Sequence, residues 1–146
     1  MEAENAKRKL KTFKILLEKA EEEVGFAQHL LKQTRVRFEE NERNIQLLEL
    51  EAERISQTLK SKQVSVYALK TSMYFSGQLN SGIGFCISER ERISKEFEMR
   101  KGNLNKAYRR SFGIKSLIDK NEKIILDADQ KKEQEMIDDI SLLRAL

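Results

Sequence analysis

Few side chains in this sequence have the types and spacing that chemistry requires. The one histidine, His29, has no second His or Cys at metal-ligand spacing, so the sequence offers no zinc site. The one cysteine, Cys86, lacks the local signature of a nucleophile, and we expect a buried or half-buried thiol without a chemical role. Gly77, Gly82 and Gly84 are not followed by the Lys-Ser/Thr pair of a phosphate-binding loop. We therefore predict no catalytic residue, no metal site, no cofactor and no enzymatic activity.

The composition indicates long helices as the elements that hold the remaining functional side chains. The 146 residues contain no Pro, and 36% of them are charged. Average usage would give about seven prolines in a chain of this length, and Pro disrupts a helix interior because it removes a donor and clashes with the preceding turn. One cysteine cannot form an internal disulfide, and no apolar run approaches the ~18 residues of a membrane span. We expect a cytoplasmic chain without membrane insertion.

A continuous heptad pattern in the first part of the chain is the most specific feature of the sequence. Seventeen positions alternate in steps of three and four, and only Thr34 and Asn41 among them are polar. A stripe with this period stays on one face of a helix and packs against another helix in a supercoil. We interpret Asn41 either as a residue that fixes the register or as part of a hydrated layer. The positions are Ala3, Ala6, Leu10, Phe13, Leu17, Ala20, Val24, Ala27, Leu31, Thr34, Phe38, Asn41, Ile45, Leu48, Ala52, Ile55 and Leu59.

The second half of the chain carries a looser apolar pattern that predicts a second long helix. Apolar residues keep the same spacing from Phe97 to Ala128, with polar interruptions, and the stripe then shifts to Met136, Ile140 and Leu143. This shift indicates that the far end of the second helix is not held in the same seam.

The two patterns are separated by a polar break at 61–65, where Ser65 is suited to cap a helix that begins near Val66. The glycine cluster at 77–84 is the alternative turn. We predict an all-α fold, a long antiparallel two-helix coiled-coil hairpin that forms a single domain over 1–146. Its predicted parts are helix 1 at about 3–60, a turn at about 61–65 and helix 2 at about 66–144.

Two surfaces outside the seam are candidates for contacts. The stretch from Tyr67 to Ile87 holds more apolar side chains than one seam can bury, and exposed apolar patches usually mark protein contacts. The alternatives are that these residues fill the end of the hairpin or join two copies. The band 100–123 has eight basic residues against two acidic ones, which suits nucleic acid, anionic lipid or an acidic protein, or is simply a solvated helix face.

The layout and the closing run QKKEQEMIDDIS resemble the FliJ family, the stalk proteins of flagellar type III export, and their virulence counterparts, the YscO family. The run places basic residues before an apolar-acidic-acidic triplet, and the resemblance extends over nearly the whole chain. The sequence departs from the family at Gly82 and Cys86, where Ala and His are expected. The residues that carry the resemblance are Gln130 to Ser141, Leu104, Tyr108, Arg109, Arg110, Phe75 and Leu79.

This resemblance implies a central stalk, similar in shape to the shaft of rotary ATPases, at the inner-membrane export apparatus. The paired helix ends would insert into a hexameric secretion ATPase, the tip would reach the export gate protein, and export chaperones would be further partners. On this basis the expected gate contact consists of Tyr74, Phe75 and Leu79. The expected ATPase contact consists of Lys7, Arg8, Lys11, Lys14, Lys131 and Lys132.

Two functions of other classes compete with the stalk. One is a generic coiled-coil tether or scaffold, which would form a homodimer through the same heptads. The other is a nucleic-acid-binding coiled coil that uses the band 100–123 and would lose affinity steeply with salt. Sparse aromatic residues in that band and the acidic stretch after it argue against nucleic acid, so we expect none as a partner.

Overall fold

The computed structural model describes residues 2–60 and 65–145, and these residues form two long helices. Helix α1 spans Glu2–Leu59 and helix α2 spans Val66–Ala145. Acidic residues occupy the first turn of α1 and a basic residue the last turn of α2, which suits the helix dipole at both places. The structure confirms the predicted all-α class with two long helices that pack against each other.

The two helices run in opposite directions. Arg37 of α1 pairs with Glu96 of α2, and Glu42, further along α1, pairs with Arg90, which comes earlier in α2. Partner numbers therefore fall on α2 as they rise on α1, which is the order that a hairpin produces.

The start of α2 follows from its capping residue. The Ser65 hydroxyl accepts a hydrogen bond from the Ala68 backbone N–H at 3.1 Å, so Ser65 is the N-cap that the sequence predicts. Of the predicted turn at 61–65, residues 61–64 lie outside the described residues. The alternative turn at 77–84 is wrong, because this stretch lies inside α2 and no described glycine has a positive φ.

The seam between the helices follows the heptads of α1 without a slip. All seventeen predicted positions on α1 are buried or half-buried. On α2 an equally regular series of seventeen begins well before Phe97, with polar residues at several of its early positions. It consists of Ser72, Ser76, Leu79, Ile83, Cys86, Arg90, Ile93, Phe97, Arg100, Leu104, Ala107, Ser111, Ile114, Ile118, Asn121, Ile125 and Ala128.

The helix pair divides into two compact units, and the first consists of Gln28–Gly102. Ile45 and Ile93 are its buried apolar residues. Asn41 donates its side-chain N–H to the Cys86 carbonyl at 2.8 Å, across the two helices. This bond favours the interpretation of Asn41 as the residue that fixes the register.

The second unit consists of Met1–Ala27 with Asn103–Leu146. Small side chains fill much of its interior, since Ala6, Ala20 and Ala107 are buried together with Ser111. Asn121 is also buried, but its side-chain N–H donates to the Leu117 carbonyl of the same helix at 2.8 Å. The Asn121 side chain is therefore hydrogen-bonded within its own helix and does not link the two helices.

Candidate functional site

The two residues considered above for chemistry, His29 and Cys86, lie in different surroundings. His29 is exposed and lies in an open cleft with Arg37 and Arg100, and Cys86 is half-buried in the seam. Over residues 2–60 and 65–145 there is no group of His, Cys, Asp or Glu that could hold a metal ion. No described helix carries an apolar stretch long enough to cross a membrane.

The six predicted ATPase-contact cations all belong to the unit formed by Met1–Ala27 and Asn103–Leu146. Every one of them is exposed, and none forms an ion pair within the part of the chain that the structure describes. Four lie on α1 and two on α2, so both helices contribute to the set. These cations are Lys7, Arg8, Lys11, Lys14, Lys131 and Lys132.

The same unit contains a terminal segment, residues 129–145 of α2, in which every side chain is exposed. The shift of the apolar stripe that the sequence shows after Ala128 predicts this loss of packing. The segment nevertheless has several large apolar side chains that are about half exposed or more, and it holds Lys131 and Lys132. These apolar residues are Met136, Ile137, Ile140, Leu142 and Leu143.

The structure divides the predicted gate-contact residues between two environments. Tyr74 and Phe75 are exposed, at 66% and 53%, and their rings meet edge to face with centroids 6.1 Å apart. Leu79 is half-buried at a seam position and lines a shallow cleft together with Phe75 and Ile55. The outward patch is therefore the Tyr74–Phe75 pair, and Leu79 lies on the side that faces α1.

The basic band 100–123 is less free than its composition suggests. The Arg100 guanidinium donates to Glu96, and Arg110 pairs with Glu23 of α1. Lys115 reaches Glu21 at 4.0 Å and lies 5.6 Å from the centroid of the Phe112 ring. Three of the eight basic side chains are thus engaged within the chain, which weakens the case for a phosphate-binding band.

One electrostatic link between the helices surrounds Glu96. Its carboxylate accepts hydrogen bonds from Arg100 at 3.0 Å and from Arg37 of α1 at 2.9 Å. These hydrogen bonds, the one from Arg100 first, hold the pKa of the Glu96 carboxyl below its ordinary value despite partial burial. Both partners of the Glu96 carboxylate belong to the chain itself, so its role is to hold the two helices in position.

The sequence placed Tyr67 in the apolar-rich stretch up to Ile87, but it did not single out Val66 or identify the start of α2 as the most exposed part of that region. Val66 is 71% exposed and Tyr67 is 81% exposed, and all six residues from Ser65 to Lys70 face solvent. The missing signal is the charge pattern around them, since no Asp or Glu occurs between Arg54 and Glu89.

Fold and surface together define the class of protein: two antiparallel helices whose exposed features are cations and apolar side chains suited to binding. A family model described as the flagellar FliJ protein matches residues 7–146, and the chain belongs to the FliJ family. It is therefore a component of the flagellar export apparatus, in a family of structural export proteins that is not known for enzymatic activity. Comparison with curated proteins and with solved structures gives no match.

Gly82 and Cys86, the two residues that depart from the family pattern, have different structural surroundings. A Cβ added at Gly82 would lie 3.6 Å from Leu48 Cδ1, which is an ordinary van der Waals contact, so the space for an alanine exists. Cys86 is half-buried, and its carbonyl accepts the Asn41 hydrogen bond. Since the acceptor at position 86 is the backbone carbonyl, the hydrogen bond itself does not depend on the type of side chain there.

Proposed function

We propose that the chain is the non-enzymatic central stalk of the flagellar export ATPase, which it contacts through one unit while the other contacts the export gate. The observation that carries the proposal is the family match over residues 7–146. The exposed cations and apolar side chains of the two units support it, because each unit has a surface that no described residue covers.

The proposed ATPase contact combines electrostatic attraction by exposed cations with the burial of apolar side chains. Six exposed cations without described ion-pair partners create a positive surface that favours encounter with acidic pore loops. The terminal segment then supplies Met136, Ile137 and Ile140, each about half exposed or more. Burial of one such side chain contributes about 1.5–3 kcal/mol, so two or three of them suffice for a reversible complex.

Charge reversal tests this contact. We expect Lys7→Glu, Arg8→Glu, Lys11→Glu and Lys14→Glu together to abolish stimulation of ATP hydrolysis by the hexameric ATPase, because the docking surface changes sign. Glu and Lys have similar helix propensities, so circular dichroism should remain unchanged. The readout is the rate of phosphate release with and without the stalk.

A matched control has the same number of reversals further from the paired helix ends: Lys95→Glu, Lys101→Glu, Lys106→Glu and Arg109→Glu. These exposed cations lie outside the proposed contact, and the control should retain stimulation. Equal loss in both variants would assign the effect to net charge and contradict the proposed surface. Full stimulation by the first variant would remove its four cations from the contact.

The proposed gate contact consists of Tyr74 and Phe75, with Leu79 behind them. Two adjacent aromatic rings that are half exposed or more provide a compact apolar anchor of the kind that dominates protein interfaces. Leu79 lines the same cleft as Phe75 and contributes from the side facing α1.

Truncation of the two rings tests the gate contact separately from the ATPase contact. We expect Tyr74→Ala with Phe75→Ala to lower binding to the cytoplasmic gate domain by about tenfold or more, since each lost anchor costs over 1 kcal/mol, while ATPase stimulation persists. Phe85→Ala is the control, because Phe85 has the same ring and is 67% exposed in the same unit. Unchanged gate binding by the double variant would contradict this part of the proposal, as would an equal loss in Phe85→Ala.

Leu79→Ala should also lower the melting temperature, because Leu79 belongs to the seam.

A further inference from the structure

The distribution of charge identifies one end of the helix pair as unlike the rest of the chain. The 34 residues between Arg54 and Glu89 contain three lysines, Lys60, Lys62 and Lys70, and no Asp or Glu. In the whole chain 36% of residues are charged and the acidic residues number 24. A long stretch that is free of carboxylates therefore surrounds the point where α1 and α2 are joined.

Large apolar side chains at this end are exposed. Val66, Tyr67 and Met73 are 71%, 81% and 61% exposed, and Tyr67 is the most exposed large hydrophobic side chain of the described residues. Lys60, six residues before Val66, and Lys70 are exposed as well. We call Lys60, Val66, Tyr67, Lys70 and Met73 the turn-end surface. It is distinct from the Tyr74–Phe75 pair of the proposed gate contact.

We infer that the turn-end surface adsorbs to an anionic lipid bilayer without spanning it. Lysines attract anionic headgroups, and their long side chains reach the phosphates while apolar neighbours sink below them. Tyr is enriched at the membrane–water boundary because its ring is apolar and its hydroxyl is polar. The absence of carboxylates over residues 55–88 removes the repulsion that this contact would otherwise meet. The inference goes beyond the proposed function and does not depend on it.

The arrangement favours lipid over a protein as the occupant. Val66, Lys70 and Met73 lie at i, i+4 and i+7 of α2 and therefore share one face of the helix, and Tyr67 lies about 100° further around it. An exposed face that combines lysines with apolar side chains, in a stretch without carboxylates, suits the anionic headgroups and the apolar layer below them. The nearest cleft is lined by Ser72, Phe75 and Leu79 and includes none of the turn-end surface.

A single-tryptophan reporter tests the inference directly. The chain has no Trp, so Tyr67→Trp introduces a unique fluorophore at the turn-end surface. With vesicles of mixed phosphatidylcholine and phosphatidylglycerol, we expect its emission to shift to the blue and to be quenched by lipids brominated in the acyl chain. Phe112→Trp is the matched control, because Phe112 is 65% exposed in the other unit and lies beside the basic band. Its emission should not change.

Charge reversal provides a second measurement. Lys60→Glu with Lys70→Glu should lower co-sedimentation with these vesicles by more than about tenfold, because each basic residue near an anionic surface contributes substantially, while circular dichroism stays the same. The control Lys101→Glu with Lys106→Glu should bind as the unaltered chain does.

Two outcomes would contradict the inference. If the unaltered chain bound equally well to vesicles of phosphatidylcholine alone, the attraction of the lysines to anionic headgroups would be overturned. An unshifted Tyr67→Trp reporter that responds only to the soluble gate domain would overturn the inference and assign the surface to a protein. Because ATPase stimulation is assayed without membranes, neither result bears on the stalk proposal.

Discussion

Asn41 and Asn121 occupy similar buried positions in the seam, with 9% and 8% exposure, but they make different hydrogen bonds. Asn41 donates to a carbonyl of the other helix, whereas Asn121 donates to a carbonyl one turn earlier in its own helix. Only the first bond depends on how the helices are aligned. The buried Asn41 thus specifies the register of the two helices, whereas the buried Asn121 only has its hydrogen-bonding group paired within its own helix.

This difference predicts unequal effects of the same substitution. We expect Asn41→Ala to lower the free energy of unfolding by about 1 kcal/mol more than Asn121→Ala, because it alone removes a hydrogen bond between the helices. Urea denaturation of both variants would measure the difference. Equal losses would mean that the bond to the Cys86 carbonyl adds nothing to stability.

At the scale of the helices, the ion pairs around Glu96 tie α1 to α2. Arg100 reaches Glu96 along α2 and Arg37 reaches it from α1, so one carboxylate serves both helices. The pKa of Glu96 is depressed in the folded chain, so its stabilising contribution is complete at pH values above the pKa of an unfolded Glu. That contribution is lost as the pH falls through the lower, folded value.

We therefore expect Glu96→Gln to lower stability at neutral pH by about 1 kcal/mol or less, as for other partly exposed pairs. The difference from the unaltered chain should begin to decrease as the pH falls below the ordinary Glu pKa of about 4.3 and vanish below the depressed pKa of the folded chain. Thermal melts over a pH series would follow it. Glu98→Gln is the control, because Glu98 forms no ion pair among the described residues, and a matching pH-dependent loss there would refute the role of Glu96.

The two helices also differ in how far the sequence predicts them. The seam of α1 could be predicted completely, because nearly all of its positions are apolar and their spacing is regular. On α2 the positions before Phe97 include Ser72, Ser76 and Arg90, whose types carry no hydrophobic signal. Only packing against α1 identifies them as seam residues, since the partner fixes the rotation of the helix about its axis.

The same reason limits prediction of the candidate contacts. An excess of apolar residues between Tyr67 and Ile87 predicts that some are exposed, and Tyr74 and Phe75 are. It does not predict that Leu79 turns toward α1, because that depends on the helix rotation. The exposure of the six cations, by contrast, follows from their charge alone.

In the whole molecule, the intrachain packing of α1 on α2 bears on the tether alternative. A tether would use the α1 heptads to join two chains, but α2 of the same chain already covers them. The charges follow a division along the chain as well, with no acidic residue over 55–88, a basic band over 100–123 and an acidic stretch over 127–139. Surfaces for different partners can therefore be carried by separate parts of one simple fold.

The antiparallel pairing also has a consequence for the order in which the chain folds. The Asn41–Cys86 bond closes a loop between residues 45 apart, whereas the Glu23–Arg110 pair closes one between residues 87 apart. Loop-closure entropy grows with the logarithm of the loop length, so the longer closure costs about 0.6 kcal/mol more if made first. Once the shorter loop has formed, each further pair closes only a few additional residues. The contact order of this fold thus favours zippering outward from the connection between the helices, with residues 2–27 and 103–128 pairing last.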